Sequence, residues 1–164
     1  MTMEITYREY KESEKPLLLE MARKLTEHSK AIDPLKRVIN EPGYVESDVE
    51  DMLDDVKNHH GKVWFAECDG VVVGYVIGVI WDQSEKNKLE IGPHKLGQVL
   101  DLFVDESMRG KGIGSTFLTM MEKYFKDSGC DSMWVNTNAH NQPARNLYNK
   151  FGFVDRELGL LKNI

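Results

Sequence analysis

Apolar side chains recur at three- and four-residue intervals in four stretches of the chain. These are Leu18, Met21, Ala22 and Leu25; Val49, Met52, Leu53 and Val56; Ile113, Phe117, Met120, Met121 and Tyr124; and Ala144, Leu147, Tyr148 and Phe151. That spacing puts each set on one face of an α-helix. Boundary signals accompany the pattern. Ser13 is placed to cap the first helix, with Pro16 in its first turn, where a missing N–H costs little. Ser47-Asp48-Val49-Glu50 reads as a capping box for the second. Ser128-Gly129 ends the third, and Asn141 and Gly152 bracket the fourth.

Elsewhere the pattern is that of strands. Ile5 to Arg8, Val63 to Glu67, Val71 to Ile80, Gln98 to Val104, Ser132 to Asn136 and Phe153 to Asn163 are the predicted strands. Cys68-Asp69-Gly70 is a hairpin signal between two of them, and Gly74 and Gly78 suggest a bulge or a close backbone approach. Ile32 to Tyr44, with Pro34, Pro42 and Gly43, reads as irregular, and Asp82 to Lys95 as a polar loop. The resulting order, β-α-α-β-β-β-α-β-α-β, predicts an α/β fold: a mixed sheet with helices on both faces.

Composition narrows the class. The 164 residues, 41% apolar and 29% charged, suit one domain with a hydrophobic core. No apolar run approaches the roughly 18 residues of a spanning helix, and Met1 to Glu14 has no signal-peptide core. A net charge of -6 disfavours nonspecific nucleic-acid binding. Cys68 and Cys130 lack metal-ligand spacing and are expected to be reduced thiols, so a cytoplasmic protein without a metal is expected.

The segment richest in chemistry is Asp105-Glu106-Ser107-Met108-Arg109-Gly110-Lys111-Gly112-Ile113-Gly114-Ser115. A strand ends, three glycines follow at alternate positions, and an amphipathic helix begins. Glycines permit positive φ and close ligand approach, while the first amides of the helix point outward with the positive end of the macrodipole behind them. That is an anion site, and a pyrophosphate suits it. Arg109 and Lys111 add charge and Ser115 a hydroxyl. A Walker A loop would need Ser or Thr after the lysine, where Gly112 stands. The dinucleotide fingerprint would need a glycine at Ser115. What fits is Arg-x-x-Gly-x-Gly, with Arg109, Gly112 and Gly114.

The segment resembles the coenzyme A pyrophosphate loop of the GNAT superfamily of acetyl-CoA-dependent N-acetyltransferases. The resemblance extends to Asn141-Gln142-Pro143-Ala144, Leu147-Tyr148 and Gly152-Phe153, and covers Val99 to Phe153. It implies a GNAT-type central sheet of six to seven strands, mostly antiparallel. It implies direct attack by an amine acceptor on acetyl-CoA, without a covalent enzyme intermediate. Arg109, Gly110, Lys111, Gly112, Ile113, Gly114, Ser115 and Asn141 would contact coenzyme A, and the backbone of Leu102, Phe103 and Val104 would hold its pantetheine arm. The resemblance makes Tyr148 the candidate acid that protonates the leaving thiolate and also touches the cofactor, whereas its spacing alone favours a core aromatic. A homodimer joined through the edge Leu158 to Ile164 is a further implication.

The base is less defined. Asp101 interrupts an apolar strand, which is expensive for an unpaired carboxylate, so it is either the general base or a structural partner. Gln98 and Leu100 stand where some relatives carry a glutamate. Glu41 to Val56 holds seven acidic residues and no basic one. That field suits a cationic acceptor, but it also suits a helix start and a solvated face. A small molecule and a peptide both remain open as acceptor, as does a non-catalytic acyl-CoA-binding module.

Overall fold

The computed structural model describes residues 4–163. Five strands, β1 (Ile5–Glu9), β2 (Lys62–Cys68), β3 (Val71–Trp81), β4 (Leu96–Val104) and β5 (Ser132–Val135), form one sheet in sequence order. The first four are mutually antiparallel, and β5 joins β4 in parallel. The helices are α1 (Lys15–Ile32), α2 (Tyr44–Asn58), α3 (Glu85–Ile91), α4 (Ile113–Asp127) and α5 (Gln142–Phe151).

Strand alternation divides the core between the two faces of the sheet. On one face Val76 and Ile80 of β3 pack with Ile113, Phe117, Met121 and Phe125 of α4 and Tyr148 of α5. On the other, Tyr75 and Ile77 pack with Leu18, Met21 and Ala22 of α1 and Val49 of α2. The predicted close approaches are present. A Cβ at Gly78 would lie 2.7 Å from Met121 Sδ, and one at Gly74 would lie 2.6 Å from the Phe103 carbonyl oxygen. Asp69 and Gly70 both take positive φ, 50° and 80°, as a tight two-residue hairpin requires.

Several expectations are corrected. The sheet has five strands, because Phe153 to Asn163 forms none. Asp155-Arg156-Glu157 interrupts any alternation, and side chains tether the segment instead. Arg145 pairs with Asp155 at 2.7 Å, and Arg156 lies over the Trp134 ring at 5.8 Å. Leu158, Leu160 and Leu161 are exposed, and Ile164 lies outside the described residues. The helix starts also move. Ser13 sits inside a 3-10 turn, Glu12–Glu14, whose Glu14 carboxylate accepts the Lys11 amide at 2.9 Å; α1 then starts at Lys15. Helix α2 begins at Tyr44, three residues before the capping-box pattern, because Gly43 can take φ of 92° as its first-turn neighbour. Glu50 therefore reaches Lys15 instead of capping its own helix. The polar loop after β3 contains α3, which Ser84 caps by accepting the Asn87 amide at 3.2 Å. Its apolar residues Leu89 and Ile91 face solvent, which is why no helical stripe marked it.

Candidate active site

The central feature is a divergence of β4 from β5. Their pairing runs from Leu96–Ser132 to Val99–Val135 and stops, whereas β4 continues to Val104. At the same point β4 carries a bulge: Ile77 faces Asp101 and Gly78 faces Val99, so Leu100 is left over. A bulge bends the strand that holds it and re-aims its side chains. Val99 consequently packs on the α4 side, while Leu100 packs on the α1–α2 side. Beyond Val99 the β5-facing edge of β4, including Leu102, Phe103 and Val104, has no strand partner among the described residues.

The glycine turn follows directly. A short 3-10 turn, Glu106–Met108, is capped by Asp105, which accepts the Ser107 amide at 3.1 Å. Gly110 and Gly112 take φ of 77° and 84°, and added Cβ atoms would meet nothing within 4 Å, so a ligand has room to approach that backbone. Gly114 differs: a Cβ there would lie 2.9 Å from a Leu147 methyl, so this glycine serves the packing of α5 on α4. The first α4 bond runs from the Thr116 amide to the Gly112 carbonyl at 2.9 Å, which leaves the amides of Ile113, Gly114 and Ser115 ahead of it. No side chain caps this end. Arg109 donates to the Val104 carbonyl at 3.2 Å, tying the turn to β4, and Lys111 approaches Met108 Sδ at 3.4 Å. These residues fit a pyrophosphate.

Asp101 lies on the α1–α2 face of the divergence. Its Oδ2 accepts a 2.6 Å hydrogen bond from the Tyr75 hydroxyl. Burial pushes its carboxyl up to about 7; the Tyr75 bond and the Leu102 amide pull downward, and the charge of Asp48 pushes further up. Tyr75 itself is held well above the usual phenol range by burial and by Asp101. Tyr148 flanks the divergence from the α4–α5 face. It is 9% exposed and stacks edge-on against Phe153 at 5.7 Å. No hydrogen bond within the described residues uses its hydroxyl, and no sealed side-chain oxygen lacks a partner, so this oxygen keeps some solvent contact. Tyr148 also borders a cleft of about 1020 Å³ between β5, α5 and the segment after Gly152, which neither Asp101, the edge from Leu102 to Val104 nor the glycine turn lines. Burial, then the charge of Asp101, pushes the phenol up to about 12. Asn141 caps α5 by accepting the Ala144 amide at 3.3 Å.

Sequence reasoning missed Tyr75, Asp48 and Tyr44. Tyr75 stands diagonal to Asp101 across the β3–β4 ladder, a relation visible only once the bulged register is known. Tyr44 and Asp48 were hidden by the misplaced start of α2.

The sheet thus splays beside a helix whose first turn is opened by glycines. The sequence model of the acetyltransferase (GNAT) family matches residues 25–153, and the chain belongs to that family. It is 32% identical to an N-alpha-acetyltransferase of Sulfurisphaera tokodaii over 63% of this chain and 62% of that protein. It is 31% identical to an N-alpha-acetyltransferase of Sulfolobus acidocaldarius over 68% of this chain and 66% of that protein. The matched stretch thus spans under two thirds of either relative. A predicted acetyltransferase of Clostridium acetobutylicum, solved with acetyl-CoA, shares the fold with a TM-score of 0.72 and 18% identity, over 98% of this chain and 96% of that one.

Proposed function

We propose that this protein, as a single N-acetyltransferase domain, transfers an acetyl group from acetyl-CoA to a primary amine of a small molecule or peptide. The divergence of β4 from β5 carries this reading, because it sets a free strand edge between a phosphate-binding turn and a carboxyl–phenol pair. Arg109 to Ser115 would hold the pyrophosphate and the edge from Leu102 to Val104 the pantetheine arm, with Asn141 and Tyr148 completing the cofactor site. Acetyl-CoA supplies the activated acyl thioester.

Asp101 is the base. A carboxyl near pH 7 is matched to removing a proton from an arriving ammonium. Tyr148 is the acid for the departing sulfur. A phenol near 12 giving its proton to a thiolate, whose conjugate thiol has a pKa of about 8.5, is uphill by roughly 5 kcal/mol, so the transfer must accompany C–S cleavage. Once Asp101 has taken the amine's proton, its negative charge no longer raises the phenol, and Tyr148 becomes the stronger acid. The base thereby readies the acid.

The two free cysteines and the absence of any spanning helix among the described residues fit a cytoplasmic location. A homodimer would need an edge other than a strand at Leu158, since none forms there. The deciding experiment is calorimetry with acetyl-CoA, followed by thiol release against a panel of amines. Binding with amine-dependent release supports the transferase; binding with silence across all amines favours a non-catalytic acyl-CoA module; no binding overturns both.

A further inference from the structure

The bulge at Leu100 moves a second polar side chain of β4 into line with Asp101. Asp101 faces Ile77 and Gln98 faces Val79, so three steps along β4 match two steps along β3. Directly opposed residues share a sheet face, and so do residues two apart on one strand. Ile77 packs on the α1–α2 side. Gln98 and Asp101 therefore project from that same side, their backbones about 7 Å apart, where an unbulged strand would put them on opposite faces. Gln98 also pairs with Trp134 of β5, one position before the two strands part. The half-buried Gln98 thus stands at the throat of the divergence, beside the proposed base.

Its carboxamide has a fixed orientation. The indole N–H of Trp81 can only donate and meets Gln98 Oε1 at 2.7 Å, so Nε2 is turned away from Trp81. Trp81 faces Leu96 across the β3–β4 ladder, on the side of Gln98 remote from Asp101, and the His59 ring braces it at 4.4 Å. No hydrogen bond within the described residues uses Nε2, which is left as an oriented two-proton donor. Resting on the acetyl-transfer reading above, we propose that Gln98 is a specificity-determining residue, whose Nε2 donates to an oxygen of the acceptor while Asp101 takes the proton of the amine. Trp81 is its positioning residue. An amine and a carbonyl oxygen on the neighbouring carbon lie about 3 Å apart, so with a hydrogen bond of about 2.9 Å at each end they bridge a gap of that size. The oxygen is a neutral one, because the Asp101 carboxylate beside it repels an anion. The acceptor selected is an amine with an adjacent amide carbonyl, over a plain alkylamine of the same size.

Steady-state thiol release with glycinamide and with butylamine tests this. The two amines differ in basicity, so the readout is the change from parent to variant within each. Gln98→Ala should lower kcat/KM for glycinamide about tenfold more than for butylamine, chiefly through KM, the scale of one lost hydrogen bond. Gln98→Glu, of the same size but without the donor, should do so at least as strongly and keeps the test open if the alanine variant fails to fold. Trp81→Phe keeps a ring but removes the N–H, and should give part of the same selective loss. Acetyl-CoA calorimetry on each variant reports whether it folds. Equal losses for both amines in the Gln98 variants would overturn the specificity role while leaving acetyl transfer intact. So would a parent protein that acetylates butylamine but not glycinamide. A Trp81→Phe variant indistinguishable from the parent would overturn the positioning role. No release with any amine of the wider panel would overturn the acetyl-transfer reading as well.

Discussion

The Tyr75 hydroxyl donates a 2.6 Å hydrogen bond to Asp101 Oδ2 across a bulged strand pair. Burial alone would drive that carboxyl higher than about 7; the bond from Tyr75 is the largest influence holding it down. A fully buried phenol thus sets the working range of the proposed base.

Replacing Tyr75 with phenylalanine removes the donor and leaves a buried acceptor short of a partner, which costs about 1–3 kcal/mol of stability. The Asp101 pKa should rise, because the deleted bond favoured the charged form. The acidic limb of kcat/KM against pH therefore moves to higher pH, with Asp48 on α2, Tyr44 on α2 and Tyr148 on α5 as the other titratable neighbours. A limb that stays in place would remove Asp101 from the base role.

Asp101 also makes stability depend on pH in an unusual direction. Its folded value is raised from 3.8 to about 7, so the folded protein binds the proton more tightly than the unfolded chain does. The stability it provides is complete below 3.8, declines as pH rises, and is lost above about 7. The difference is on the order of 4 kcal/mol. Asp101→Asn keeps an acceptor for Tyr75 without the charge. Its melting temperature at pH 8 should exceed that of the parent, while turnover falls about 100-fold or more. Thermal melts at pH 5 and pH 8 check the sign, since the gain should vanish at the lower pH.

Tyr148→Phe isolates the acid. The hydroxyl makes no hydrogen bond within the described residues, so its loss should change stability by less than about 1 kcal/mol. Turnover should fall about 100-fold or more, while acetyl-CoA affinity by calorimetry falls far less, because the glycine turn and the β4 edge still hold the cofactor. Unchanged turnover would return Tyr148 to the role of a core aromatic.

Much of this was legible before the structure because the relevant signals are local. The Asp69-Gly70 hairpin, the α4 stripe ending at Ser128, and the Asn141 and Gly152 brackets of α5 each depend on residues a few positions apart. The glycine turn was legible for the same reason. What stayed hidden was non-local. The bulge at Leu100 arises from how β3 and β4 register, and nothing in Val99-Leu100-Asp101 announces it. The helix stripe of Tyr148 could not show that its hydroxyl has no hydrogen-bond partner among the described residues. The tail after Gly152 has strand-forming residues, but a strand also needs a partner edge, and none is engaged.

The glycines of the turn divide into two kinds, and substitution should separate them. Gly112 needs its φ of 84°, with open space around it. Alanine there costs about 1–2 kcal/mol in backbone strain and places a methyl where the pyrophosphate is proposed to sit. Gly114 needs room for Leu147 at 2.9 Å, so alanine there forces overpacking worth about 1–3 kcal/mol. A double-mutant cycle pairing Gly114→Ala with Leu147→Ala should give a coupling of about 1 kcal/mol, because the smaller side chain makes room for the added methyl. The cycle pairing Gly112→Ala with Leu147→Ala should give none. Acetyl-CoA affinity should fall in Gly112→Ala regardless of residue 147. If the Gly112 and Leu147 changes instead couple, the turn is held by α5 packing, and its openness to a phosphate would be incidental.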